Sequence, residues 1–469
     1  MNKRIMTIFV CCLFLISTLL GGCGAEPAPA ATTPLASSNA SESSTPAASE
    51  PSGSGEPVKL NVNIQTSELS EAQIAEFETL NPNIKVEVVV ALQDSLMARI
   101  AAGNAPDIIR INGAQDIPTF VSRNLALDLD PYFAKSEKIK VDDMLPVCDI
   151  YRYDGKTQGQ GPRYGLPKDW SPDQTIWYNK RVFDMMGVPV PSSDKPLTYT
   201  ELLELAKKLT KVENGQTVIL GLAIPEYMDI PKLMAPVQQL GGSLFSPDFK
   251  TCNFTSPEAM KIFQWYLDAS NAMVLESPIN SVGDWGGNLF LDDKAAMIQY
   301  GYWYSGMIRG HGEAQKHMDD FVMLPAPVME GGQRTSPCTS GTGLIVYSGT
   351  KHPEEAFKFI EYYLGPKDSP AIERAKGGWG VPAFKSLIDL MPKDAGFNES
   401  IYNALKVEEE NSSVMNFNPY ATTAGINGTI SKHFNLVLTG EKTLEQALQD
   451  AQNDVNLLIQ EGMDIAGVE

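Results

Sequence analysis

The stretch from Val58 to Ile111 constrains the fold more than any other. Val58, Leu60, Val62 and Ile64 alternate with Lys59, Asn61 and Asn63, the period of two that turns one face of a strand toward a core. Ser70 and Gln73 then have the S-x-x-Q spacing of a capping box, with Ile74, Phe77 and Leu80 at helical intervals behind them. Asn81-Pro82-Asn83 stops that helix. Val86 to Leu92 reads as a second strand, a nearly continuous apolar run of the kind buried on both faces. A short helix carrying Leu96 and Ile100 ends at Gly103, and a third strand is expected from Ile108 to Ile111. Strand, helix, strand, helix, strand is an α/β unit built on a parallel sheet. The same punctuation recurs downstream. Thr198/Glu201 and Thr443/Gln446 are capping boxes before apolar helical faces, and Ser256-Pro257 and His352-Pro353 each set a cap before a proline at the first helical position.

About 410 residues follow Glu56, more than one ordinary core organises, so two lobes are expected. Upstream, Asn2-Lys3-Arg4, an apolar run from Ile5 to Leu20, and Gly21-Gly22-Cys23 have the layout of a signal peptide over residues 1–22. Leu20-Gly21-Gly22-Cys23 resembles the bacterial lipobox, which implies that Cys23 is lipidated and becomes the new N-terminus. Residues 24–56 are almost entirely Ala, Pro, Ser, Thr, Gly and Glu. Such a segment buries too little surface to offset its ordering entropy, so 23–56 reads as a lipidated cysteine and a disordered linker. No later stretch is long and apolar enough to cross a bilayer.

The net charge of −20 argues against nucleic acid, whose phosphates it would repel. Cys148, Cys252 and Cys338 are far apart, odd in number and form no CxxC pair, so buried free thiols are expected and a zinc site is not. The tools of common enzymes are missing. The four histidines, His311, His317, His352 and His433, make no HExxH motif, and there is no G-x-S-x-G elbow, Walker A sequence or G-x-G-x-x-G turn. No metal or cofactor is expected. A glycoside hydrolase needs only two carboxylates, and the chain has many, but no pair stands apart.

Aromatic residues gather instead at polar, glycine-rich turns. Lys168-Asp169-Trp170, Asp284-Trp285-Gly286-Gly287, Gly301-Tyr302-Trp303-Tyr304 and Gly377-Gly378-Trp379-Gly380 form four such clusters. An indole face stacks on the C–H face of a pyranose while carboxylates and amides fix its hydroxyls, the few-polar-groups pattern of small-ligand sites. Tryptophan is more often core than platform, but the flanking glycines and acids place these four on loops. Trp177 and Trp265, in apolar surroundings, read as structural.

The chain resembles the extracellular solute-binding proteins of ABC importers, in particular the maltose- and oligosaccharide-binding type. The resemblance is carried by Gly103-Asn104-Ala105-Pro106-Asp107-Ile108, by Tyr164-Gly165-Leu166-Pro167 with Trp177-Tyr178-Asn179-Lys180, by Ala295-Ala296-Met297 with Gly301-Tyr302-Trp303, by Gly341-Thr342-Gly343, and by Gly380-Val381-Pro382. It implies an α/β, two-lobed periplasmic-binding-protein-like fold with a hinge and an interlobe ligand cleft. The N-terminal lobe would hold 57–167 plus 322–368, and the C-terminal lobe 168–321 plus 369–469. It further implies capture of a sugar or oligosaccharide, delivery to ABC permease subunits by lobe closure, a monomer, and a location on the extracytoplasmic face of the bacterial membrane. A non-sugar solute (polyamine, metal chelate or anion) and a secreted carbohydrate-active enzyme are the alternatives.

Carried over by position, Asp169 and Trp170 follow the lobe crossing and Trp303 matches the aromatic platform. Glu226, Tyr227 and Asp229 fall near an acidic-aromatic patch. Asn112 and Gly113 lie just past the third strand, and Gln65 and Gln93 follow the first two strands, the usual ligand-facing ends. Trp285, Gly378 and Trp379 complete the candidate set. Where the family has an aromatic just past strand three, this chain has Ile111-Asn112. Asp107 reads as a structural residue of its turn.

Overall fold

The alternating pattern at the start of the body becomes β1 (Val58–Asn63), α1 (Glu71–Leu80), β2 (Ile84–Val89), α2 (Gln93–Ala101) and β3 (Ile108–Ile111) in a computed structural model that describes residues 56–90, 93–338 and 341–468. The signal peptide, Cys23 and the 23–56 linker, apart from Glu56, lie outside the described residues. β1 pairs in parallel with β2, from Val58 opposite Ile84 to Asn63 opposite Val89, and with β3. The second strand therefore sits about two residues earlier than the apolar run suggests. Asn83 begins the pairing, its carbonyl accepting the Val58 N–H at 2.8 Å.

The Ser70/Gln73 box closes as expected, Ser70 Oγ accepting from Gln73 N at 3.3 Å and Gln73 Oε1 from Ser70 N at 3.0 Å. Asp107 is structural. Its carboxylate accepts from Asn61 N at 2.8 Å and from Thr350 Oγ1 at 2.6 Å, tying the turn before β3 to β1 and to a distant loop.

Downstream come α3 (Ile117–Ser122), β4 (Gly165–Pro167), β5 (Ile176–Asn179), α4 (Tyr199–Leu209), α5 (Ile230–Gln239), α6 (Pro257–Asn271), β6 (Met297–Gln299), α7 (Tyr304–Gly310), β7 (Phe321–Leu324), β8 (Gly343–Val346), α8 (Pro353–Leu364), α9 (Phe397–Glu409), α10 (Thr423–Leu438) and α11 (Leu444–Ala466). They build two principal sheets. The first has the order β2-β1-β3-β8-β4, with β8 antiparallel to both neighbours. It is thus mixed rather than wholly parallel, because β8 returns from the far end of the molecule and enters from the opposite direction. The second has the order β6-β5-β7, all antiparallel, with every residue of β5 buried.

Three segments pass between the sheets: 168–175 from β4 to β5, the 325–342 stretch from β7 to β8, and 389–396 leading to α9, which packs on β7. One core lies under the first sheet with Phe77, Phe359 and Leu166, and another joins α4, α5, α6, α10 and α11 through Phe263, Leu202 and Leu448. A third runs from Ile111 past Trp170 to Trp177 and Phe290, binding the two sheets together.

The helix starts follow local chemistry. Thr198/Glu201 and Thr443/Gln446 form complete capping boxes, and Ser256 Oγ accepts from Ala259 N at 3.2 Å ahead of Pro257. His352 makes no side-chain cap, contrary to the reading of His352-Pro353. Its own N–H donates instead to Thr350 Oγ1 at 3.1 Å. Cys148, Cys252 and Cys338 are free and buried, and burial pushes the thiols of Cys148 and Cys252 up to about 12, which leaves them unreactive at neutral pH.

Candidate functional site

The 168–175 crossing organises two groups of candidate residues. At its start, Lys168 pairs with Glu68, which also pairs with Arg110, and Lys168 Nζ lies 3.6 Å from the Asp169 carboxylate. Arg110 also donates to the Asn112 side chain, and Thr342 Oγ1 donates to the Asn112 carbonyl at 2.8 Å. Asn112 and Gln65 are exposed at the C-terminal ends of β3 and β1. Gly113 lies against the Gln115 side chain, which a Cβ there would strike at 1.9 Å. Gln93 opens α2, and its side chain lies outside the described residues.

Asp169 faces away from open solvent. Burial pushes its carboxyl up, opposed by Lys168 and Arg374. With Lys168, Arg374, Trp379 and Gly380 it lines a cavity of ≈ 10 Å³, room for about one water and not for a sugar ring. Trp379 belongs to this group, its ring pressed on Gly306 of α7, where a Cβ would fall 2.3 Å from it. Gly378 has φ +65, and its carbonyl accepts from Ser305 Oγ at 2.9 Å and Arg309 Nη1 at 2.7 Å. Trp170 is buried at 3 % exposure and bridges to Val381.

The second group is open. Trp285 is 37 % exposed, while Trp177 and Trp265 are structural at 0 % and 6 %. Their indole N–H groups donate to the Tyr300 carbonyl at 3.0 Å and the Tyr199 carbonyl at 2.7 Å. Trp285 Nε1 donates to the Tyr300 hydroxyl at 3.1 Å, and that hydroxyl lies 3.2 Å from the Glu226 carboxylate. The part-exposed Trp303 packs edge-on against Tyr300, ring centroids 4.7 Å apart, and its backbone N–H donates to Ser171 Oγ at 3.4 Å. Ser171 and Asp173 of the crossing lie beneath Gly301. Trp285, Trp303 and the exposed carboxylate of Glu226 thus form an aromatic ledge with an acceptor beside it, and Tyr300 is the hub.

The residues around Glu226 part company. Tyr227 turns inward against Tyr266 and Phe434. Asp229, just before α5, accepts from Asn427 Nδ2 at 2.7 Å, and burial raises its carboxyl to about 6. Asp116, whose carboxyl burial also pushes up, accepts from Thr423 N at 3.3 Å. That bond belongs to a seam. Ser122 Oγ donates to the Pro419 carbonyl at 2.6 Å, Arg123 to the Tyr420 carbonyl at 3.1 Å, and Gln158 N to Asn416 at 2.8 Å. The segment before α10 is thereby held against α3 and its neighbours.

Sequence reasoning missed Glu68, Arg110, Lys232, Tyr300 and Arg374. Lys232 carried a signal, a lone charge in the apolar run Ile230-Pro231-Lys232-Leu233-Met234. The others become visible only once distant segments meet. Among the described residues no group of His, Cys, Asp and Glu is arranged to hold a metal, and no helix is long and apolar enough to cross a membrane.

Residues 63–369, more than half of the chain, match the family of bacterial extracellular solute-binding proteins. The chain belongs to that family. An uncharacterized ABC transporter extracellular-binding protein of Pyrococcus horikoshii is 23% identical over 274 residues, 55% of this chain and 57% of that protein. The match therefore spans little more than half of that relative. The arabinooligosaccharide-binding protein of Halalkalibacterium halodurans is 22% identical over 388 residues, 78% of this chain and 79% of that protein. Among solved structures, the ABC substrate-binding protein Lmo0181 of Listeria monocytogenes, in complex with cycloalternan, superposes with a TM-score of 0.69. It shares 21% identity and covers 86% of this chain and 99% of that one. This likeness identifies the fold of the solute-binding protein as the two-lobed α/β architecture.

Proposed function

We propose that this solute-binding protein captures a sugar or oligosaccharide outside the cytoplasm and delivers it to an ABC import permease by closing two lobes around it. The observation that carries the reading is the ledge of Trp285 and Trp303 with the Glu226 carboxylate beside it. Indole faces supply area to a sugar ring at small entropic cost, and a carboxylate discriminates hydroxyls because a ligand without them leaves it unpaired. The arabinooligosaccharide-binding relative and the cycloalternan complex support the same class of cargo. In this reading the exposed Gln65 and Asn112 serve the first-sheet side, while Gly113, Asp169 and Trp170 pack behind them. Glu226, Trp285 and Trp303 serve the other side, with Tyr227 and Asp229 behind Glu226 and with Gly378 and Trp379 holding the end of the crossing in place.

We place the lobes at 57–167 plus 343–388 and 176–324 plus 397–469, meeting at the three crossing segments rather than at 322 and 368, because β7 pairs with β5 of the second sheet and Ala371, Phe384 and Leu387 pack in the core under the first. Lipidation of Cys23 and the 23–56 linker would tether a monomer to the outer face of the membrane. No turnover, cofactor or metal enters the scheme.

A cationic solute such as a polyamine is a second reading. Asp116, Asp229 and Glu226 bring three carboxylates close enough to act on one another. A thermal-shift screen of residues 57–469 separates the two, because a ligand that binds only the folded form raises Tm by mass action. The panel is glucose-, mannose- and arabinose-based mono- to tetrasaccharides, spermidine and putrescine. A shift with a sugar, recovered intact, is expected. A shift with amines alone replaces the cargo, and consumption of the sugar replaces binding with catalysis.

A further inference from the structure

Lys232 stands in the first turn of α5 with only 7 % of its side chain exposed. An ammonium buried this far is costly unless it is paired and hydrogen-bonded, so its partners show what it holds. Nζ donates to the Pro225 carbonyl and, at 3.1 Å, to the Glu226 carboxylate, and it lies 5.6 Å from the centroid of the Tyr300 ring. Tyr300 directs its hydroxyl proton to the same carboxylate at 3.2 Å while accepting from Trp285 Nε1 at 3.1 Å. Lys232, Glu226, Tyr300 and Trp285 are one connected line, from the buried start of α5 to the exposed indole.

The backbone of this loop is under strain. Glu226 has φ +56 and Met228 φ +60, left-handed conformations that L side chains avoid and that persist only where the surroundings over-determine them. The clamp on Glu226 from below by Lys232 and from the side by Tyr300 supplies that determination. Yet the carboxylate it fixes remains 56 % exposed. A strained loop that holds an acceptor out toward solvent beside an aromatic ledge is poorly explained by packing alone.

We propose that Lys232 is a positioning residue for sugar capture. Without touching the sugar, it fixes the Glu226 carboxylate at one distance and angle from the Trp285 face and so sets which hydroxyl pattern is accepted. The inference rests on the sugar-binding reading and adds to it the residue that tunes selectivity. Lys232 also faces Asp229, whose carboxyl it lowers against the effect of burial, so the variants must be read against Glu226 and not alone.

The test is a double-mutant cycle. Dissociation constants for the glucose-, mannose- and arabinose-based panel are measured by titration calorimetry on the wild type, Lys232→Met, Lys232→Arg, Glu226→Gln and the Lys232→Met/Glu226→Gln pair, with Tm recorded for each. Lys232→Gln, which keeps a donor for the Pro225 carbonyl, takes the place of Lys232→Met if that variant does not fold. The expected result is at least tenfold weaker binding on loss of the charge, a changed order of affinities across the panel, and partial rescue by Lys232→Arg. In the Glu226→Gln background the further loss should be under twofold. A loss of the same factor in both backgrounds, or a panel order and affinity like those of the wild type, overturns the proposal. A wild type that binds no member of the panel overturns the sugar-binding reading and this inference with it, whereas the other outcomes bear on Lys232 alone.

Discussion

Single residues in this protein do opposite things with the same chemistry. Asp107, buried, and Asp229, part-buried, are both carboxylates near the start of an element. Asp107 spends its oxygens on Asn61 N and Thr350 Oγ1 and locks a turn. Asp229 has Asn427 and the neighbouring Lys232, yet burial still raises its carboxyl from 3.8 to about 6. The sign of the linkage follows. The folded state binds this proton more tightly than the unfolded chain, so the group costs nothing below pH about 4, costs progressively more as pH rises, and exacts its full penalty above about 6. Asp229→Asn, which can still accept from Asn427, should raise stability at pH 7 by about 1–2 kcal/mol. This is less than the whole shift implies, because the carboxyl is part-exposed. The gain should vanish near pH 4. Chemical denaturation at pH 4, 5.5 and 7 checks this, and an equal effect at all three values would rule out the burial penalty.

Elements whose instructions are local were readable in the sequence. A capping box needs only four consecutive residues, so Ser70/Gln73, Thr198/Glu201 and Thr443/Gln446 were found and all close. His352-Pro353 has the right spacing but the wrong side chain, since imidazole does not reach back as a short hydroxyl does. Sheet order was not readable. β8 sits between β3 and β4 through pairings with segments more than a hundred residues away, and nothing within β8 says so.

The same holds for the site. The exposed Trp285 announced itself by its glycines, whereas Tyr300 gains its meaning from Glu226, 74 positions earlier. Close helix contacts are equally hidden. Gly462 of α11 lies under the backbone of Tyr420, where a Cβ would sit 1.9 Å from the carbonyl oxygen. Alanine is the better helix former by about 1 kcal/mol, but the clash is with a main chain held by Arg123 and Asn418. Gly462→Ala should therefore lower stability by about 1–3 kcal/mol. A raised Tm would show that the 418–423 segment yields freely.

At the scale of the whole molecule, two sheets share a core that runs through Trp170 and are joined by three crossing segments. Motion about such a joint would be confined to the crossings, which is where Asp169, Ser171 and Asp173 lie. The seam from Asp116 to Arg123 against residues 418–423 fastens one side of the structure. The ledge of Trp285 and Trp303 is joined to the crossing through Ser171. Fold and family were legible because their motifs recur in order along the body. The identity of the cargo was not, because it depends on the angles among a few side chains.

The most direct test of the account is the affinity of Trp285→Ala and Trp303→Ala for the sugar that binds the wild type most tightly, measured by calorimetry. Trp285 is 37 % exposed and contributes little to the core, so its replacement should leave Tm within a few degrees. Binding should weaken at least tenfold, about 1.4 kcal/mol or more, as expected of an aromatic anchor. Sugar binding of wild-type strength in both folded variants would place the ligand elsewhere and contradict the account.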